Sequence, residues 1–255
     1  MSRVGVIGIA ALGLALGWPP VQGRAQEERA TTGAQPESGK APGSEGVAAV
    51  SAAPPLYRLP KVGKPRGRIG GGRRGPLDGV ANLQALVPDH VGATTSGQPS
   101  LYWYLAEPIA EGVAIELTLI DEGSIDPLVD AKLARPSAAG LQRIRLADFG
   151  VTLEPGQEYQ WSVSVVPDPE DRSKDVVTTG WIERVPAPAG LADRLAAAGS
   201  GEVVAVYGEA GLWYDMLDAA AAPVGERPDA DLSRRQLGTL LEQAGLPAEA
   251  AGSPR

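Results

Sequence analysis

One histidine and no cysteine restrict the proton-transfer and nucleophilic chemistry open to this chain. His90 lies between Pro88 and Gly92, in a stretch that reads as a loop. A histidine-dependent triad needs a serine or cysteine held on a sharp turn beside it. No Gly-x-Ser-x-Gly occurs, so His90 reads as structural or solvent-facing and no catalytic residue is assigned. Asp168, Glu170, Asp171 and Asp175 gather in one loop, the way oxygen ligands for calcium gather. Their spacing is not that of an EF-hand, and Arg172 and Lys174 bring counter-charge into the same loop. The expectation is a self-paired hairpin loop, and the turn holding Asp121, Glu122 and Asp126 reads the same way. No metal ligand set is assigned.

Gly70-Gly-Gly72-Arg-Arg-Gly75 spells Gly-x-Gly-x-x-Gly. No strand precedes it, and Pro76 follows where a helix would have to open. No helix N-terminus would then face a pyrophosphate, and no cofactor is assigned.

Two sets of side chains are candidates for a partner surface. The first is basic. Residues 58–74 carry a charge of +7 with no acid, whereas residues 78–255 carry −15. Arg66, Arg68, Arg73 and Arg74 would either grip an anionic surface or rest on the chain's own acidic body; the second is the expectation. An acidic body repels phosphate, so nucleic acid is not an expected partner. The second set is aromatic: Tyr102, Tyr104 and Trp213. In Tyr102-Trp103-Tyr104 a strand would place Trp103 on one face and both tyrosines on the other, giving a stacking platform for a carbohydrate or a protein, or else a second buried face.

The elements that must position these groups begin with Leu153-Glu-Pro155-Gly156-Gln-Glu-Tyr159-Gln-Trp161. This reads as a tyrosine corner: Pro155-Gly156 turns the chain, Tyr159 opens a strand, and its hydroxyl bonds back to the turn. Val113 to Ile120 alternates apolar and polar, as does Tyr159 to Val165. With Leu83–Pro88, Ser100–Leu105, Leu128–Leu133, Leu141–Leu146 and Val176–Val185, about seven short strands are expected. The fold class is mainly β: an immunoglobulin- or fibronectin-like antiparallel sandwich. After Pro186-Ala-Pro188 the pattern turns helical, with Leu191–Ala198, Glu202–Ala210, Trp213–Ala222 and a helix over Arg234–Ala244, capped by Asp231-Leu-Ser233 and closed by Gly245. Tyr207, Gly211, Trp213, Met216, Ala220 and Pro228 follow the spacing of a tetratricopeptide-like helix pair. One unit is too few for a solenoid, so a plain hairpin packed on the sandwich is expected.

At the N-terminus, Arg3 precedes an uncharged apolar run, Val4 to Gly17. Pro19-Pro20 and the small residues Gly23 and Ala25 follow, as at a signal-peptide cleavage site. The run is shorter than the roughly 20 residues that cross a bilayer. Residues 1–25 are therefore read as a signal peptide, 26–60 as a disordered linker, 61–186 as the sandwich with its basic lead-in, 187–247 as a helical domain and 248–255 as a disordered tail. The expected product is exported to the periplasm or beyond and is not an integral membrane protein.

The ordered set Gly71–Gly75, Leu83–Pro88, Pro99–Tyr104, Leu153–Trp161, Asp171–Ser173, Gly180–Arg184 and Gly211–Asp215 resembles a bacterial family of exported proteins, domain of unknown function 928, over about residues 61–247. The resemblance implies that many relatives carry a cysteine near Leu77 and another near Pro167. Both are absent here, which suits loss of a disulfide as a pair. The resemblance implies no activity, cofactor or functional residue. The expected function is a non-enzymatic envelope binding or adaptor module whose partner is an envelope protein or polysaccharide. An enzyme with an unrecognised site and a surface anchor using residues 58–74 are the alternatives.

Overall fold

The alternating segments form strands whose apolar positions face one another. The computed structural model of the chain describes residues 55–59, 83–199, 201–221 and 230–252. Residues 1–54 and the arginines at 66, 68, 73 and 74 lie outside them, and so do the expected signal peptide and most of the linker. Among the described residues, eight strands form two sheets. β1 (Leu83–Ala85), β3 (Ser100–Leu105) and β6 (Gly140–Arg145) form a three-stranded antiparallel sheet in that order. β2 (Gly92–Thr94), β8 (Val176–Arg184), β7 (Glu158–Val166), β4 (Ala114–Asp121) and β5 (Val129–Leu133) form the second, with β2 parallel to β8 and the other pairs antiparallel.

Register follows from the period of two. Leu117 stands opposite Val163, and Leu119 opposite Trp161; all four are buried. Their neighbours Glu116, Thr118, Ser162 and Ser164 take the other face. In the smaller sheet Leu101 and Trp103 pair with Ile144 and Gln142, and Leu101, Trp103 and Ile144 are buried. The two inner faces form a β-sandwich. Each large apolar side chain fully removed from water there contributes about 1.5–3 kcal/mol. Gly180 makes room for the largest of them: a Cβ there would lie 2.7 Å from the Trp161 ring.

The expected corner is formed. Gly156 sits at φ 76° and the Glu154 N–H donates to the Tyr159 hydroxyl across 2.9 Å. The Arg184 guanidinium donates to the Leu153 carbonyl across 2.8 Å, tying the end of β8 to the same turn. The acidic loop is self-paired, as expected. Lys174 Nζ lies 3.0 Å from Asp168 and 3.1 Å from Asp171. Arg172 reaches Asp175 at 2.6 Å and Glu116 at 2.8 Å. Lys174 holds the Asp168 carboxyl below the usual carboxylate range, and the Ser173 hydroxyl, followed by Lys174, does so for Asp171.

The helices described after the strands are α1 (Leu191–Ala197), α2 (Val203–Glu209), α3 (Trp213–Ala221) and α4 (Ala230–Gln243). Gly211 turns the chain between α2 and α3 at φ 73°, and Gly245 ends the run at φ 65°. Three expectations are corrected. The last helix is described from Ala230, so Asp231 and Ser233 lie within it and not ahead of it. The chain does not stop being ordered at 247: Ala248–Ala251 forms a 3-10 turn with Ala250 buried. The helices of 187–247 are not a domain of their own, because Trp213, Tyr214, Met216, Leu217, Leu240 and Leu241 belong to one core with the sheet residues.

The linker assignment also ends too late. Pro55 is buried and Tyr57 is half-buried against helices and strand ends. The Tyr57 N–H donates to Gln243 Oε1, Gln243 Nε2 donates to the Pro55 carbonyl, and the Arg58 N–H donates to the Gly208 carbonyl across 3.0 Å. The Tyr57 ring stacks on His90 and meets Trp213 edge-on.

Candidate functional site

The site grows from the seam between the 94–100 loop of the sandwich and the helix pair α2–α3. Asp215 and Asp218 are three residues apart on α3 and so share a face. Asp215 is fixed by the loop: the Thr95 N–H donates to one carboxylate oxygen across 3.0 Å and the Thr95 hydroxyl to the other across 2.7 Å. Asp218 is fixed by the smaller sheet. It accepts from the Tyr102 hydroxyl at 2.7 Å and from Arg143 Nη2 at 2.7 Å. Between α2, α3 and the loop lies a cleft of about 420 Å3, lined by Ser96, Gln98, Ser100, Tyr207, Asp215 and Asp218 among others.

Tyr207 on α2 makes no side-chain hydrogen bond among the described residues. Burial pushes its hydroxyl up, and the charges of Asp215 and Asp218 push the same way. It therefore stays protonated and offers one donor and one acceptor. The cleft thus presents a half-buried aromatic ring and two immobilised carboxylates that accept; Gln98 Nε2 is engaged by the Val151 carbonyl, while the Ser96 and Ser100 hydroxyls accept from the Gln98 N–H and Arg143 Nε and keep their own protons to donate. Such a set receives a neutral, hydroxyl-rich or weakly cationic ligand and disfavours an anion.

The sequence-predicted residues are placed as follows. Tyr102 is 2% exposed. It lies on the face turned away from the sandwich interior, covered by α3. Burial and the bond to Asp218 push its hydroxyl up. Trp213 is 0% exposed and its Nε1 donates to the Leu86 carbonyl across 2.9 Å. Neither is a partner surface. The helices occupy the outer face where a ligand would have stacked, and the indole satisfies a carbonyl just past the end of β1. Tyr104, on the same face as Tyr102, is half-buried and lies outside the cleft. Arg66, Arg68, Arg73 and Arg74 lie outside the described residues.

His90 is not at the cleft. It is 8% exposed, and its Nε2 lies 2.8 Å from the Tyr57 hydroxyl. Burial holds its pKa below the ordinary 6.5, with Asp89 opposing. Its contact with the Tyr57 hydroxyl pins the incoming chain. No helix of the described residues is long and apolar enough to cross a membrane, and no group of three metal-ligating side chains occurs among them.

Sequence reasoning missed Asp215 and Asp218 as site residues and treated Tyr207 only as a packing position. A signal was present: two acids three apart, in a helix whose other side chains are mostly apolar.

The model of the family described as Domain of Unknown Function (DUF928) matches residues 69–254. The chain belongs to this family. The match takes in both sheets and all four helices, so the cleft lies wholly within the DUF928 region. Among solved structures, the chain is similar to the fn3 domain of the human collagen alpha-1(XX) chain, at 12% identity, over 47% of this chain and 93% of that one, with a TM-score of 0.25. No curated protein matches.

Proposed function

We propose that this DUF928 protein is an exported, non-enzymatic binding module of the cell envelope, and that its ligand is a saccharide segment held in the cleft between the sandwich and α2–α3. One observation carries the reading: the Tyr207 hydroxyl, without a side-chain partner among the described residues, stands in a cleft with Asp215 and Asp218, both fixed by bonds from the sandwich. Carboxylates already oriented by the protein accept from ligand hydroxyls without a further ordering cost. An aromatic side chain beside them matches the apolar face of a sugar ring. Export rests on the short apolar run Val4 to Gly17 and the small residues before Gln26.

The strand order supports an immunoglobulin- or fibronectin-type sandwich beneath this module. β1, β3 and β6 oppose β4, β7 and β8, and the corner tyrosine stands near the start of β7, as in Greek-key sandwiches of that type. The Tyr207–Gly211–Trp213 spacing supports a single tetratricopeptide-like hairpin used as a cap.

The test is titration of the mature protein with neutral oligosaccharides released from its own envelope, followed by calorimetry. Saturable binding is expected, weakened at least tenfold by Tyr207→Ala with an unchanged thermal midpoint. Binding that is indifferent to Tyr207→Ala would move the site elsewhere. No binding to any envelope saccharide would end the proposal.

A further inference from the structure

β5 is a sheet edge. It pairs with β4 on one side and, among the described residues, with no strand on the other. Among the same residues, the backbone of 129–133 bonds to β4 and to no other segment. The opposite edge of the sheet is different. There α3 lies against β2, so closely that a Cβ on Gly92 would meet the Tyr214 ring at 2.7 Å. An uncovered edge offers its outward N–H and C=O groups to any strand whose side chains fit.

The side chains of β5 fit one strand in particular. Val129, Ala131 and Leu133 turn to the inner face, while Asp130 and Lys132 stand exposed on the outer one. Neither charge has an ion-pair partner among the described residues. Glu116, across from Lys132 in β4, is taken by Arg172 at 2.8 Å, and Thr118 stands across from Asp130. A lone lysine on an edge opposes strand addition. An acid two positions before it reverses this for a second copy of β5.

Two copies joined antiparallel in one sheet are related by a two-fold axis perpendicular to the sheet. The axis must pass through a residue, because a shift of one would put each side chain opposite one from the other face. An axis through Ala131 sets Asp130 of each copy opposite Lys132 of the other, and Val129 opposite Leu133 on the inner face. An axis through Asp130 or Lys132 would set like charges opposite one another, which is unfavourable. Through either end residue the strands scarcely overlap. The Ala131 alignment also brings Leu128, exposed just ahead of the strand, opposite Ala134 of the other copy.

We propose that this protein forms a two-fold homodimer through β5, in the register centred on Ala131, which joins the two larger sheets into one. The strands are short, so the contact stands at the small end of specific interfaces and the dimer is concentration-dependent. It is independent of any ligand in the cleft.

Sedimentation equilibrium of the mature protein tests this, at concentrations up to about 1 mM. A monomer–dimer equilibrium is expected. Asp130→Lys and Lys132→Asp should each weaken it at least tenfold, because each sets like charges opposite one another. An equimolar mixture of the two variants should recover the wild-type affinity, since acids on one copy then face lysines on the other. The double variant carrying both changes should recover it as well, as a homodimer. Both positions are exposed, and this recovery separates lost pairing from lost folding. A protein that stays monomeric throughout the range would overturn the proposal and leave the edge to a strand of another protein. A dimer that both single variants leave intact, or that neither the mixture nor the double variant restores, would overturn it too.

Discussion

The Trp161 indole N–H donates to the Tyr214 hydroxyl across 2.8 Å, and that hydroxyl donates in turn to the Trp181 carbonyl across 2.9 Å. Trp161 belongs to the inner face of β7 and Tyr214 to the first turn of α3. The bond therefore runs from the centre of the sandwich into the helices. Gly92 permits it: a Cβ there would lie 2.7 Å from the Tyr214 ring. Burial pushes the Tyr214 hydroxyl well above its ordinary range, so it stays a donor at any physiological pH.

Tyr214→Phe should remove both bonds and leave the Trp161 donor and the Trp181 carbonyl without this partner. The expected cost is about 2–3 kcal/mol, because a buried group stripped of its partner loses its full desolvation term. Urea unfolding measures it. Trp161→Phe combined with Tyr214→Phe should cost less than the two single changes added together, by roughly 1 kcal/mol. Strict additivity would mean that the helices and the sheets are not joined through this pair.

Tyr159→Phe tests the corner. The hydroxyl accepts from the Glu154 N–H at 2.9 Å while the ring is buried. Losing it should lower stability by about 1–2 kcal/mol through one unmet backbone donor. The cleft is built from other elements, so ligand affinity should not change. An unmoved urea midpoint would mean the bond contributes nothing in solution.

Much of the sandwich was readable because its signal is local. Ile115, Leu117 and Leu119 alternate with polar residues and fall on the inner face, and Tyr159, Trp161 and Val163 do the same. Pro155-Gly156 before Tyr159 named the corner outright. β2 was missed because Gly92-Ala93-Thr94 carries no β-forming bulk. Its pairing is parallel to β8, some ninety positions away in sequence, and no period reveals that. The helices were readable from composition, but their docking was not. Whether Trp213 faces a partner or the Leu86 carbonyl depends on contacts 127 positions apart. The cleft was hidden for the same reason: Thr95 and Asp215 meet only in the folded chain. Tyr57 left one trace, as the first aromatic after a long run of Ala, Gly, Ser and Pro.

Stability should depend on pH through His90. Its folded pKa lies below the ordinary 6.5, burial being the larger cause and Asp89 opposing. The unfolded chain therefore takes up the proton first as pH falls. The stability is fully present above the unfolded value, declines as pH drops through about 6.5, and levels off below the folded pKa. Tyr57 and Asp89 face the ring, and both remain in a His90→Gln variant. Urea midpoints between pH 7.5 and 5.5 should fall more for the wild type than for His90→Gln, the carboxylates common to both cancelling in the difference. Parallel curves would show that His90 titrates alike in both states.

The last expectation concerns the strap formed by residues 55–59. Gly208 lies in α2, where alanine would ordinarily be favoured by about 1 kcal/mol. Here a Cβ would sit 2.9 Å from the Leu56 carbonyl oxygen and 3.1 Å from Met216 Sδ. The Met216 thioether is unbranched and can turn aside. The Leu56 carbonyl is backbone and can yield only if the strap lifts. Lifting it breaks the bond from the Arg58 N–H to the Gly208 carbonyl and loosens the bond from the Tyr57 N–H to Gln243. Gly208→Ala should therefore speed hydrogen exchange at the Tyr57 and Arg58 amides at least tenfold, while the amides of β4 and β7 keep their protection. The thermal midpoint should change little, because the helix gains what the strap loses. Unchanged protection at Arg58 would mean that the strap accommodates a methyl group, and that Gly208 is not what lets it dock.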